Sequence, residues 1–123
     1  MSDDVIGFSF LAESKVPVWY LKPGETIFKE GDTAKELYVI QSGTVEIRLG
    51  NRVLDTLETN DLFGEMALID GALRSATAVA KTDVALVTMS KKDFLALVGR
   101  APSFALDVMS MLARRLRAAN RAI

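Results

Sequence analysis

Two charged side chains hold most of the chemistry that this sequence could do. Residues 63–78 read FGEMALIDGALRSATA, with Glu65 and Arg74 nine positions apart among small and apolar neighbours and Asp70 the only other charge. A guanidinium is a planar fork that binds two oxygens of one anion at once, which an ammonium does not. A carboxylate withdrawn from water accepts hydrogen bonds from a hydroxyl. The small residues around Gly64, Met66 and Ala67 let a ligand approach the backbone, and one turn of helix there aims free N–H groups outward, a setting that suits an anion. Ser75 and Ala76 add a hydroxyl and a backbone N–H beside the guanidinium. The set fits a ligand with one hydroxyl and one negative charge: a sugar phosphate, or better a cyclic phosphodiester with a free neighbouring hydroxyl. ATP fits less well, because the sequence has no G-x-x-x-x-G-K-[ST] loop. The plain alternative is an ion pair that holds a turn together.

Composition narrows the field. The chain has 123 residues, half of them hydrophobic and a quarter charged, with a formal net charge of −1. That is the size and make-up of one soluble globular domain. There are no cysteines and no histidines. This removes disulfides, thiol nucleophiles and the commonest metal ligand and general base, so no catalytic or metal site is expected. The N-terminus opens with acids and has no signal-peptide pattern, and no apolar stretch is long enough to span a bilayer. A cytoplasmic domain without membrane contact is expected.

The elements that must hold the pair can be read from period and turn signals. The first fifteen residues, with Val5, Ile6, Phe8, Phe10 and Leu11, suit a short amphipathic helix. From residue 16 to about 90, short apolar runs alternate with turns at Pro23-Gly24, Gly31-Asp32, Ser42-Gly43, Gly50-Asn51 and Lys81-Thr82-Asp83. Val45, Ile47 and Leu49 alternate with Glu46 and Arg48, the mark of a strand with one wet face. DTLETNDLF reads as strand up to Phe63. Trp19, Tyr20 and Phe28 read as core. This pattern predicts an antiparallel sandwich or small barrel.

The tail reads as helix. Ser90 with Asp93 opens one helix that Gly99 is placed to end, and Pro102 opens a longer one. On that second helix the apolar stripe of Phe104, Leu106, Val108, Met109, Leu112 and Leu116 is wider than one contact needs. It points to a parallel helix pair in a homodimer, against the plainer reading that the chain itself covers all of it. Arg114, Arg115, Arg117 and Arg121 read as the wet face of this helix rather than a nucleic-acid surface, because the net charge is slightly negative and no recognition helix follows. No direct DNA binding is expected.

The chain resembles the cyclic nucleotide-binding domain family found in bacterial cyclic-AMP-responsive transcription factors, protein kinase regulatory subunits and ion channels. The likeness runs from about Leu21 to Asn120 and rests on LKPGETIFKEGD, the glycine turn of LYVIQSGTVEIR and the cassette FGEMALIDGALRSATA. The resemblance implies a mainly β fold: an antiparallel jelly-roll barrel (a double-stranded β-helix) over about 16–90, with a short N-terminal helix and C-terminal helices over about 91–122. All of 1–123 would then be a single domain. It also implies a ligand, cyclic AMP ahead of cyclic GMP, with no cofactor. Glu65 would hold the ribose 2′-hydroxyl and Arg74 the cyclic phosphate, with Gly64, Met66, Ala67, Ser75 and Ala76 around the same oxygens. Ile47 and Leu54 would pack the base, Arg115 would meet the cassette glutamate, and Asn120 would reach the base in the opposite subunit. Leu73 stands where the family commonly has proline, which predicts a less rigid turn into Arg74. The expected role is a non-enzymatic sensor that signals through its C-terminal helices to a protein effector or a second copy. Two other readings are weighed against it. A cupin-like enzyme lacks the histidines it needs, and an interaction module with a decayed nucleotide site would show no ligand binding.

Overall fold

A computed structural model of the chain describes residues 18–121, so the helix expected of the first fifteen residues lies outside the described part. The described residues fall into two compact units, one ending at Lys91 and the other beginning at Lys92.

The first unit is built from eight strands: β1 (Val18–Leu21), β2 (Thr26–Phe28), β3 (Glu36–Ser42), β4 (Val45–Leu49), β5 (Arg52–Leu57), β6 (Leu62–Phe63), β7 (Thr77–Ala80) and β8 (Val84–Ser90). A short helix, α1 (Glu65–Asp70), sits between β6 and β7. The strands form two four-stranded sheets, ordered β1-β8-β3-β6 and β2-β7-β4-β5. Every pairing is antiparallel, and the chain crosses repeatedly from one sheet to the other, as a jelly roll does.

The period-2 pattern explains the packing. Ile40, Phe63 and Leu86 from one sheet meet Ile27, Val45 and Ala78 from the other in a single core. Burying side chains of this size stabilises the fold by about 1.5–3 kcal/mol each. On β3, Leu37 and Val39 alternate with the core residues Tyr38 and Ile40 and are buried too, so the strand reads as a continuous apolar run. The turn from β3 to β4, which carries the chain from one sheet to the other, needs glycine. Gly43 has φ +99, and a Cβ there would fall 2.2 Å from the carbonyl oxygen of Asp83.

Four expectations need correction. DTLETNDLF is two strands, not one, split by a turn in which Asn60 takes φ +74 and the Glu58 N–H donates to Oδ2 of Asp61. Asparagine tolerates that backbone better than most residues. On β4 the alternation fails at both ends, with Glu46 buried and Leu49 exposed. Glu46 is buried because Arg48 donates to its carboxylate through Nε and Nη2 and Lys81 Nζ lies 3.8 Å away, so its charge is met. Leu49 sits beside the Gly50-Asn51 turn of the β4–β5 hairpin, past a register slip between Ile47 and Arg48. Trp19 and Tyr20 are 39% and 73% exposed rather than core, because β1 is an edge strand.

The fourth correction belongs to the second unit, which holds α2 (Lys91–Arg100) and α3 (Ser103–Arg121). Gly99 lies inside α2 instead of ending it, and the Ala101 N–H still donates to the carbonyl of Leu97. Pro102 makes the break, since the residue before a proline is pushed out of helical geometry. The rings of Phe94 and Phe104 meet edge to face at 5.5 Å. Along α3, Phe104, Val108 and Met111 are buried, whereas Leu106, Met109 and Leu116 are exposed. Among the described residues no single helix is long and apolar enough to cross a membrane.

Candidate functional site

The chain leaves β6 at Phe63, turns at Gly64, runs through α1 and returns to the barrel at Thr77. Gly64 takes φ +80, and a Cβ there would lie 3.1 Å from Nη1 of Arg74 and 3.2 Å from the ring of Tyr38. The position therefore needs glycine for its backbone angle and for lack of room. α1 ends at Gly71, also left-handed, whose N–H donates to the carbonyl of Ala67. Oδ1 of Asp70 then accepts from the Ala72 N–H and shapes the turn towards Leu73.

Loop 30–36 fixes Arg74. The Arg74 N–H donates to the carbonyl of Asp32 and the Gly31 N–H to the carbonyl of Arg74, each at 2.8 Å, with a bridge between Thr33 and Leu73 alongside. The Glu30 N–H donates to Oγ1 of Thr77 at 3.0 Å. These bonds tie the turn at Leu73, where the family commonly has proline, to the loop before β3.

Arg74 is 4% exposed, as is Glu65. That rules out a solvated surface pair. Nη1 of Arg74 donates to the carbonyl of Gly64 at 2.6 Å and Nη2 to the carbonyl of Glu36 at 2.5 Å. Its Cζ lies 4.1 Å from the centre of the Phe28 ring and 5.8 Å from that of Tyr38, within cation–π range of both. Nε is buried with no hydrogen-bond partner. An orphaned donor on a buried cation costs about 1–3 kcal/mol, which an acceptor at that atom would recover. Arg74, Phe28 and Tyr38 also wall a cleft of about 390 Å³ with Lys35 and Glu36. Burial raises the phenol pKa of Tyr38 above its ordinary value. The Glu36 carboxylate adds to the rise, and the Arg74 charge and hydrogen bonding oppose it.

The other expected residues are placed as follows. The Met66 N–H donates to Oε2 of Glu65 at 3.0 Å, and the Met66 side chain is exposed. Ala67 is half-buried, Ser75 exposed and Ala76 buried. Ile47 packs against the core and pairs in register with Ala78, two residues beyond Ala76. Leu54 lies on the edge strand β5 and is 46% exposed. Arg115 and Asn120 stand on α3, in the second unit, half-buried and exposed respectively. The structure thus brings Gly64, Glu65 and Arg74 together with their chain neighbours. Sequence reasoning missed Phe28, Tyr38 and the carbonyl of Glu36 as partners of Arg74. An apolar residue beneath a cation has no signature apart from any other core residue, and a backbone carbonyl has none at all. Among the described residues no group of three or more acidic, histidine or cysteine side chains is placed to hold a metal ion.

Comparisons with known proteins identify the family. The family model for the cyclic nucleotide-binding domain matches residues 18–101. The Cyclic AMP receptor protein of Thermus thermophilus is 43% identical over 102 residues, which are 79% of this chain and 47% of that protein. The cAMP-dependent protein kinase regulatory subunit of Colletotrichum orbiculare is 39% identical over 79 residues, 63% of this chain and 20% of that one. The chain therefore spans less than half of either relative. The crystal structure of Thermus thermophilus Catabolite Activator Protein superposes with a TM-score of 0.80 at 40% identity, covering 91% of this chain and 55% of that one.

Proposed function

The chain belongs to the cyclic nucleotide-binding domain family, and from that premise we propose that it is a sensor that binds cyclic AMP in preference to cyclic GMP. The observation that carries this reading is the buried Arg74, whose Nε has no partner while both terminal nitrogens are tied down. A single phosphodiester oxygen at Nε would satisfy it. Glu65 accepts the ribose 2′-hydroxyl, Gly64, Met66, Ala67, Ser75 and Ala76 surround the phosphate, and Ile47 and Leu54 support the base. The relatives named for cyclic AMP support that choice of base. Met66 must then exchange its bond to Glu65 for one to the ligand.

The proposed role is sensing, not catalysis. Ligand stabilises one arrangement of the C-terminal helices over another, a population shift that a protein effector or a second copy reads. Arg115 and Asn120 would take part from α3. On that helix Leu106, Met109, Ala113, Leu116 and Asn120 follow a three-four spacing, and all but Ala113 are exposed. That is the seam of a parallel helix pair, with asparagine at a register-setting position. Leu116→Glu would then shift the protein from dimer to monomer in sedimentation.

Calorimetric titration with cyclic AMP, cyclic GMP and 2′-deoxy cyclic AMP tests the reading. Micromolar or tighter binding of cyclic AMP, weaker binding of cyclic GMP, and a loss for the 2′-deoxy ligand that Glu65→Gln does not deepen are expected. Silence from all three in folded protein would favour an interaction module without a ligand.

A further inference from the structure

We propose that Phe28 is a positioning residue for ligand binding. Its ring fixes the plane of the Arg74 guanidinium without neutralising it, so the cation meets the phosphate already oriented and still fully charged. This rests on the reading of Arg74 as the phosphate-binding residue.

The placement of the ring follows from a defect in β2. Thr26 pairs with Val79 and Phe28 with Ala78, a slip that puts one extra residue on β2. Strict alternation would send Ile27 and Phe28 to opposite faces. The bulge lets Ile27 enter the core while Phe28 packs against the same cluster. The ring is held by its own neighbours, stacking on Tyr38 at 6.0 Å and lying 6.2 Å from Phe63. Its face is therefore a fixed surface, and the guanidinium lies 4.1 Å above it.

Charge decides what such a surface can do. The contacts that hold the Arg74 head group are two backbone carbonyls and the rings of Phe28 and Tyr38, whose phenol also engages it by hydrogen bonding, none of them charged. An acid at position 28 would anchor arginine as firmly, but it would cancel the charge that the ligand needs. A ring face attracts the cation through its quadrupole and leaves the net charge intact. Arginine has many rotamers, and ordering it only when ligand arrives would weaken binding. The ring orders it beforehand.

The test replaces Phe28 with mono-, di- and trifluorophenylalanine, which keep the ring's shape while draining negative potential from its face. Each protein is titrated calorimetrically with cyclic AMP. Affinity is expected to fall stepwise along the series, to about tenfold weaker at the last member, as loss of a desolvated cation–π contact implies. Phe28→Leu should fall at least as far and Phe28→Tyr should stay near wild type. A flat series in a protein that binds cyclic AMP would overturn the inference, leaving the ring as mere filler. Wild-type protein that binds no nucleotide would overturn both the inference and the reading beneath it.

Discussion

Gly64→Ala sets two structural claims against each other, backbone strain and close approach. The left-handed backbone at φ +80 costs an alanine about 1–2 kcal/mol. The added Cβ would also stand 3.1 Å from Nη1 of Arg74 and 3.2 Å from the Tyr38 ring, so one of them must yield by a few tenths of an ångström. Both are buried and tied, Arg74 by two carbonyls and Tyr38 by stacking on Phe63 at 5.2 Å. The expected loss of stability is therefore about 2–4 kcal/mol, strain plus an overpacking cost of about 1–2 kcal/mol. Gly71→Ala is the control. It has nearly the same angle, φ +74, with no atom within 4 Å of the added Cβ, and should lose only the strain. Urea unfolding measures both variants, and titration with cyclic AMP shows whether Arg74 has moved. Gly64→Ala should bind at least tenfold more weakly and Gly71→Ala about as wild type. Equal stability losses with unchanged affinity in both would refute the claim that Gly64 makes room for the guanidinium.

Three other perturbations follow from particular contacts. Leu73→Pro should stabilise the chain by about 0.4–1 kcal/mol, because the bridge to loop 30–36 uses the N–H of Arg74 and not that of Leu73; a loss in urea unfolding would contradict this. The hydrogen bond from Arg48 holds the Glu46 carboxyl below its ordinary 4.5; burial opposes it, and the charge of Arg48 and the charge and hydrogen bonding of Lys81 add to the lowering. A lowered value means stability present above pH 4.5 and lost as the pH falls towards the folded value, so Glu46→Gln should flatten that part of the acid limb. For Tyr38 the sign reverses. Its raised value means stability intact below pH 10.0 and lost as the pH climbs from there, a slope that Tyr38→Phe should remove.

How far the sequence discloses this molecule varies with the range of the interaction. The strands between glycine turns, the helical tail and the segment bearing Glu65 and Arg74 are local patterns, and the structure has them. Glu46 is met by Arg48 on its own strand and by Lys81, thirty-five residues on and just past the end of β7, and the alternation of β4 contains no hint of the second. Trp19 and Tyr20 look like core by type, but their exposure follows from strand order, which β1 does not encode alone. At the site, the sequence names the cation and not what holds it. Phe28 is forty-six residues from Arg74, and only the paired sheets and a bulge in β2 bring them together. The backbone bonds that tie the turn at Leu73 come from a distant loop, and no local residue signals them.

The central claim is that Arg74 is held buried and incompletely bonded to receive the phosphate of a cyclic nucleotide. Calorimetric titration of wild type and Arg74→Ala with cyclic AMP, side by side, tests it most directly. Micromolar or tighter binding in the wild type and a loss of about 2–5 kcal/mol in the variant, which must remain folded, are expected. Equal affinity in the two proteins, or no binding by the wild type, would contradict the account.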